Sequence, residues 1–143
     1  MRGHLLDVNV LLALVDTQHV HHEPANLWFE NLRSSGWATC PITENAFVRI
    51  LSRVSYPNSP GDLSVTLPML RQFCQVGRHE FWPDDVSILD ALEPDALITP
   101  SQLTDVYLLG LAAHHGGKLA TLDNRIPVHA VRGGRDAIEF LLD

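Results

Sequence analysis

Apolar and polar positions along the chain switch between a period near two and a period near 3.6, and the switching predicts alternating strands and helices. Residues 3–7 read as a short buried strand, and the apolar run 8–15 behind it as a helix. Residues 17–23 form a polar, His-rich loop. Pro24 then opens a second helix, since proline is tolerated at a first helical position, with Ala25, Trp28, Phe29 and Leu32 at i, i+3, i+4 and i+7 and Gly36 closing it. Residues 37–40 are a second strand. Thr43, after Pro41, is expected to cap a third helix with Phe47, Ile50, Leu51 and Val54 on one face. The run 55–61, with its prolines and glycine, breaks that helix. A fourth helix over about 62–74 is expected to bury Leu63, Leu67, Leu70 and Cys74, and residues 80–82 to form a third strand.

Val86, Leu89 and Leu92 point to a short helix ending at Pro94. Thr99-Pro100 is a cap followed by proline, leading into a helix over 103–115 that stops at Gly116-Gly117. Residues 118–123 are the next strand. The apolar end, 138–142, fits an edge strand or a short helix, and so few residues do not show which. The order predicts an α/β fold, a central parallel sheet flanked by helices, in one domain over 1–143.

Composition narrows the class. A chain of 143 residues with 45% hydrophobic and 19% charged residues is of ordinary single-domain size and make-up, without repeats or low-complexity tracts. Its longest apolar runs fall well short of the roughly 20 residues a bilayer span requires. Asp7 would lie inside the apolar core of an export signal, so a cytoplasmic protein is expected. Cys40 and Cys74 lack CxxC spacing and are expected to be reduced core residues. The net charge of −7 argues against a broad basic face that coats nucleic acid. It does not argue against a metal-dependent nuclease, which gathers acids at one point where divalent ions return positive charge.

Four acids are the candidates. Asp7 and Asp123 close two strands, and the C-terminal ends of parallel strands form the ligand crevice of such sheets. Glu44 falls in the first turn of the helix after the second strand, and Asp105 near the start of the helix before the strand that ends in Asp123. Taken singly, Asp7 and Asp123 read equally as turn residues and Glu44 as a favourable charge at a helix start. Asp105 lies in an apolar run, where an unpaired charge is costly. Carboxylates that share a crevice repel one another unless a cation neutralises them. Hard oxygen donors suit Mg²⁺ or Mn²⁺, which activate water for phosphodiester cleavage and need no Ser, Cys or His nucleophile.

Three segments, LLDVNVLLAL at 5–14, ITENAFVRIL at 42–51 and LTDVYLLGLAAHHGGKLATLDNRI at 103–126, resemble the motifs of the PIN-domain ribonucleases, among them the VapC-type toxins of bacterial toxin-antitoxin modules. The resemblance implies a doubly wound α/β sandwich and a homodimer. It implies Mg²⁺ or Mn²⁺ held by Asp7, Glu44, Asp105 and Asp123, and endonucleolytic cleavage of RNA. It further implies a small cognate antitoxin that occupies a groove of the toxin, and Asn9 as the small polar residue supporting Asp7. Asn124 stands where many relatives have a basic residue, which makes Arg125 the candidate substrate contact there. Arg49 and Arg53, one turn apart on the solvent side of the third helix, are further candidates for phosphate contacts. The third and fourth helices, joined by a Pro-rich turn, offer a groove for a partner helix, although core packing explains the same pattern. His19, His21 and His22 lack any usual zinc spacing, and His114 and His115 read as helix C-terminal residues. The rival reading is a PIN-like binding module without hydrolysis. A phosphotransferase with Asp7 as covalent nucleophile would want a second Asp where Asn9 stands.

Overall fold

In the computed structural model, residues 3–142 are described; Met1, Arg2 and Asp143, the ends of the expected 1–143 domain, lie outside the described residues. The strands are β1 (His4–Leu6), β2 (Trp37–Thr39), β3 (His79–Phe81), β4 (Lys118–Thr121) and β5 (Ile138–Phe140). They form one sheet in the order β3-β2-β1-β4-β5, and every neighbouring pair is parallel. The helices are α1 (Val8–Val15), α2 (His22–Leu32), α3 (Pro41–Leu51), α4 (Leu63–Phe73), the single-turn α5 (Ile88–Ala91) and α6 (Leu103–His114). Among the described residues no helix is long and apolar enough to cross a membrane.

Successive strand residues point to opposite faces, and both faces of this sheet are covered. Leu5, Ala38 and Leu119 pack against α6 and the segment 126–137, whereas Leu6, Trp37 and Ala120 pack against α1, α2 and α3. This is the expected α/β sandwich. The alternatives left open for the apolar end resolve to an edge strand, β5, whose Ile138 pairs with Leu119. Gly117 lets β4 start tight against the sheet, since a Cβ there would meet the Gly3 carbonyl oxygen at 2.3 Å.

Several local readings shift. Helix α2 begins at His22, so Pro24 is its third residue; the first-turn amides lack intrahelical partners, and proline sacrifices nothing there. The cap of α3 is Cys40, with Pro41 first in the helix. Thr43 is three residues in, and its hydroxyl accepts from the Cys40 N–H at 3.0 Å. Helix α3 stops at Leu51, which leaves Val54 fully exposed and Arg53 beyond the helix end. In α4 the inward stripe is Thr66, Met69, Leu70 and Phe73, while Leu63 and Leu67 are each 50% exposed. The Thr66 hydroxyl meets that of Ser52 at 2.6 Å, which turns α4 by about one residue from its most apolar stripe. Strand β3 starts one residue early, at His79, and β4 ends at Thr121, two before Asp123. Helix α6 ends at His114, and Gly116 closes it in the left-handed conformation (φ 72°).

Candidate metal centre and active site

Asp7 sits where β1 passes into α1. Its N–H donates to the Ala120 carbonyl at 2.9 Å, continuing the sheet, and its carboxylate caps α1 by accepting from the Val8 N–H at 2.7 Å. The second oxygen accepts from the Thr121 hydroxyl at 2.8 Å. Thr121 in turn accepts from the Asp123 N–H at 3.0 Å and the Asn9 side-chain amide at 3.3 Å, and Asn9 Oδ1 accepts from the Leu122 N–H at 3.2 Å. The exit of β4 is thus pinned to the first turn of α1. Asn9 supports Asp7 through Thr121. Thr121 itself was missed in the sequence, although the strand expected over 118–123 would have put it on the same face as Asp123.

Asp7 is 3% exposed, and burial pushes its pKa up to about 6. The Thr121 and Val8 hydrogen bonds oppose that rise, and the charges of Asp105 and Asp123 add to it. Asp105, half-buried in the first turn of α6, also has a raised pKa, from burial first and from Asp123 next, with Arg125 opposing. These three carboxylates therefore feel one another. Among the described residues the cation near them is Arg125, 87% exposed, whose Nε lies 3.2 Å from Asp123 Oδ1. Asp105, Asp123 and Arg125 line a cleft of about 380 Å³ together with Thr99 and Ser101. All the donors are hard oxygens, and among the described residues no cation pairs with the buried Asp7. That donor set fits Mg²⁺ or Mn²⁺.

Glu44 lies on the same edge of the sheet but on the other flank of β1. It accepts from the Thr39 hydroxyl at 2.6 Å, and Thr39 Oγ1 is 2.7 Å from His79 Nε2. Its charge is felt by Cys74 and His79 and is not among the influences on Asp7 or Asp105. Glu44, Cys74, His79 and Arg71 line a second cleft, of about 370 Å³. Cys74, expected in the core, instead caps the end of α4 and is half-buried at this cleft; both cysteines are free, as expected. Of the basic candidates, Arg49 is exposed on α3 with its Nε on Asn45 Oδ1 at 3.3 Å, and Arg53 is exposed past the helix end. His19 Nδ1 accepts from the His21 backbone N–H at 3.0 Å, the His19 and His21 rings lie 5.8 Å apart, and the His22 ring reaches the Ala13 carbonyl at 2.8 Å. His114 and His115 flank Asp85 at 3.4 and 3.1 Å at the end of α6.

An all-parallel sheet with Asp7, Asp105 and Asp123 at its C-terminal edge defines an α/β domain with an acidic crevice. The PIN domain model matches residues 4–131. The chain is 46% identical over 131 residues to Ribonuclease VapC44 of Mycobacterium tuberculosis, covering 90% of this chain and 92% of that relative. It is 41% identical to Ribonuclease VapC39 of the same organism, covering 90% and 94%. It is also 41% identical to Ribonuclease VapC29, covering 84% and 85%. A chain from the structure of FitAB bound to an IR36 DNA fragment superposes with a TM-score of 0.62 at 16% identity, over 98% of this chain and 97% of that one, and so shares the fold. The chain belongs to the PIN-domain family and, within it, to the VapC-type ribonucleases.

Proposed function

We propose that this protein is the toxin of a VapBC-type module, an endoribonuclease whose Asp7, Glu44, Asp105 and Asp123 hold Mg²⁺ or Mn²⁺. The observation that supports it most is Asp7, buried to 3% exposure beside Asp105 and Asp123 with no base paired to it among the described residues. A buried carboxylate without a counter-charge carries an uncompensated desolvation cost, which a bound cation would offset. When bound, the ion supplies positive charge at the scissile phosphate and activates the attacking water. Asp7 is the rigid anchor, since Val8 and Thr121 fix both its oxygens. In the proposed site Asp105 and Asp123 act beside it from α6 and the end of β4, and Glu44 turns from the Thr39 hydroxyl to complete the set. Arg125 leaves Asp123 to contact an RNA phosphate, and Arg49 and Arg53 hold the backbone further out.

The proposal includes a small antitoxin that presents an Arg or Lys to the acidic crevice, since a cation there replaces the ion's charge. Its helix would lie along α3 and α4, where Leu63, Val65 and Leu67 are exposed. The proposed protomer pairs with a second copy, which light scattering reads directly. Cleavage of RNA that EDTA abolishes and Mg²⁺ or Mn²⁺ restores is the expected result; cleavage that survives chelation refutes the mechanism. A folded chain inert with every divalent ion would leave the PIN-like binding module.

A further inference from the structure

Among the described residues, Glu44, Cys74 and His79 are the group of three ligand-type side chains whose donor atoms all lie within 4.8 Å of one another. They come from three separate elements: the first turn of α3, the end of α4 and the start of β3. All three are half-buried at the second cleft, neither sealed in the core nor loose on the surface. The buried Thr39 hydroxyl sits between Glu44 and His79, at 2.6 and 2.7 Å, and holds both side chains toward one point. The His79 ring is further fixed against Trp37, with ring centroids 4.7 Å apart. We propose that Glu44, Cys74 and His79 form a binding site for a thiophilic divalent cation of the Zn²⁺ class, separate from the aspartates that hold the hard ion.

One sulfur, one imidazole nitrogen and one carboxylate oxygen make a donor set that Mg²⁺ and Mn²⁺ do not favour and Zn²⁺ does. A tetrahedral ion with bonds of about 2.0–2.3 Å spaces its ligands about 3.3–3.8 Å apart, so closing the site takes side-chain movement of about 1 Å. Three protein ligands leave the fourth position open to water from the cleft. Binding displaces the Cys74 thiol proton to solvent, which makes occupancy rise with pH. The site also has a consequence for catalysis, which rests on the proposed role of Glu44. A cation that engages Glu44 with Cys74 and His79 withdraws it from the crevice, so Zn²⁺ inhibits cleavage supported by Mg²⁺.

Co²⁺ added to the full-length protein is the probe of the site. The expected result is a near-ultraviolet thiolate-to-cobalt charge-transfer band that Zn²⁺ bleaches, and that Cys74→Ser and His79→Gln each remove. Each variant should weaken Zn²⁺ binding by roughly 100-fold or more, since even second-shell changes cost 10–100-fold. In RNA cleavage with saturating Mg²⁺, micromolar Zn²⁺ should inhibit the wild type and spare Cys74→Ser, whose activity without Zn²⁺ stays near wild type. A missing charge-transfer band, or one unchanged in Cys74→Ser, overturns the site. Equal inhibition of wild type and Cys74→Ser overturns its link to catalysis. A chain that cleaves no RNA defeats the ribonuclease reading and leaves the cobalt spectrum as the independent test of the site.

Discussion

Replacing Asp7 by Asn should stabilise the metal-free protein at neutral pH, the opposite of what removing a structural acid does. Asp7 has a folded pKa of about 6 against an ordinary value of 3.8. A raised folded pKa means that this group's favourable contribution is present below pH 3.8 and is lost as pH rises through about 6. The difference of about 2 units corresponds to about 3 kcal/mol of strain in the ionised form. Asn removes that strain but offers one acceptor oxygen where Asp7 uses two, for the Val8 N–H and the Thr121 hydroxyl. The lost bond costs about 1 kcal/mol. The net gain at pH 8 is then about 2 kcal/mol, a rise in Tm of about 6 °C for a domain of this size. Thermal melts of both proteins in EDTA at pH 8 and pH 4 measure it, with wild type and variant compared at each pH so that other titrating groups cancel. The gain should vanish or reverse at pH 4, and Mn²⁺ should raise the Tm of the wild type much more than that of the variant. A variant less stable than wild type at pH 8, or an equal gain at both pH values, would refute the reasoning.

Three further outcomes are expected. Asp105→Asn, whose carboxyl pKa is raised by burial and by Asp123, should lower RNA cleavage at least about 100-fold while leaving the metal-free Tm unchanged or higher, the usual trade at a strained functional position; a lower Tm with an unchanged metal response would mark it as a structural acid. Thr121→Val removes a hydroxyl that serves Asp7, Asn9 and Asp123, and urea melts should show a loss of about 1–3 kcal/mol; no loss would mean that the network does not hold β4 to α1. Thr39→Val frees Glu44 and His79 from their shared hydroxyl and should weaken Zn²⁺ binding about 10–100-fold in a calorimetric titration, a result that unchanged affinity would contradict.

Much of the fold was legible because each element carries its own start and stop. Thr99-Pro100 and Gly116 bracket α6, and the strand-helix block at Asp7 reads from its apolar run alone. The cap of α3 was within reach too: proline at the first helical position makes the preceding residue, Cys40, the cap. The register of α4 was not. Its sequence carries overlapping apolar stripes, and a hydroxyl pair with Ser52, 14 positions earlier, selects between them.

The site divides along the same line, between what a segment states about itself and what sheet order decides. Asp7 and Asp123 follow β1 and β4, which are hydrogen-bonded neighbours, so their convergence follows once strand ends are read as an edge. Glu44 follows β2, on the far side of β1. Neighbouring strands lie about 4.8 Å apart, so the ends of β2 and β4 are separated by about 10 Å with Asp7 between them. An ion held by the proposed aspartates would sit on the β4 side of β1, and Glu44 would have to turn away from the Thr39 hydroxyl to meet it. That turn costs one hydrogen bond, about 1 kcal/mol, little beside a metal-carboxylate contact. The alternative partners of Glu44, Cys74 and His79, became neighbours only because β3 lies beside β2 at the edge of the sheet. No spacing between residues 44, 74 and 79 announces that arrangement. Glu44 thus stands between an oxygen-lined crevice and a sulfur-nitrogen pair, and the softness of the available cation decides which way it turns.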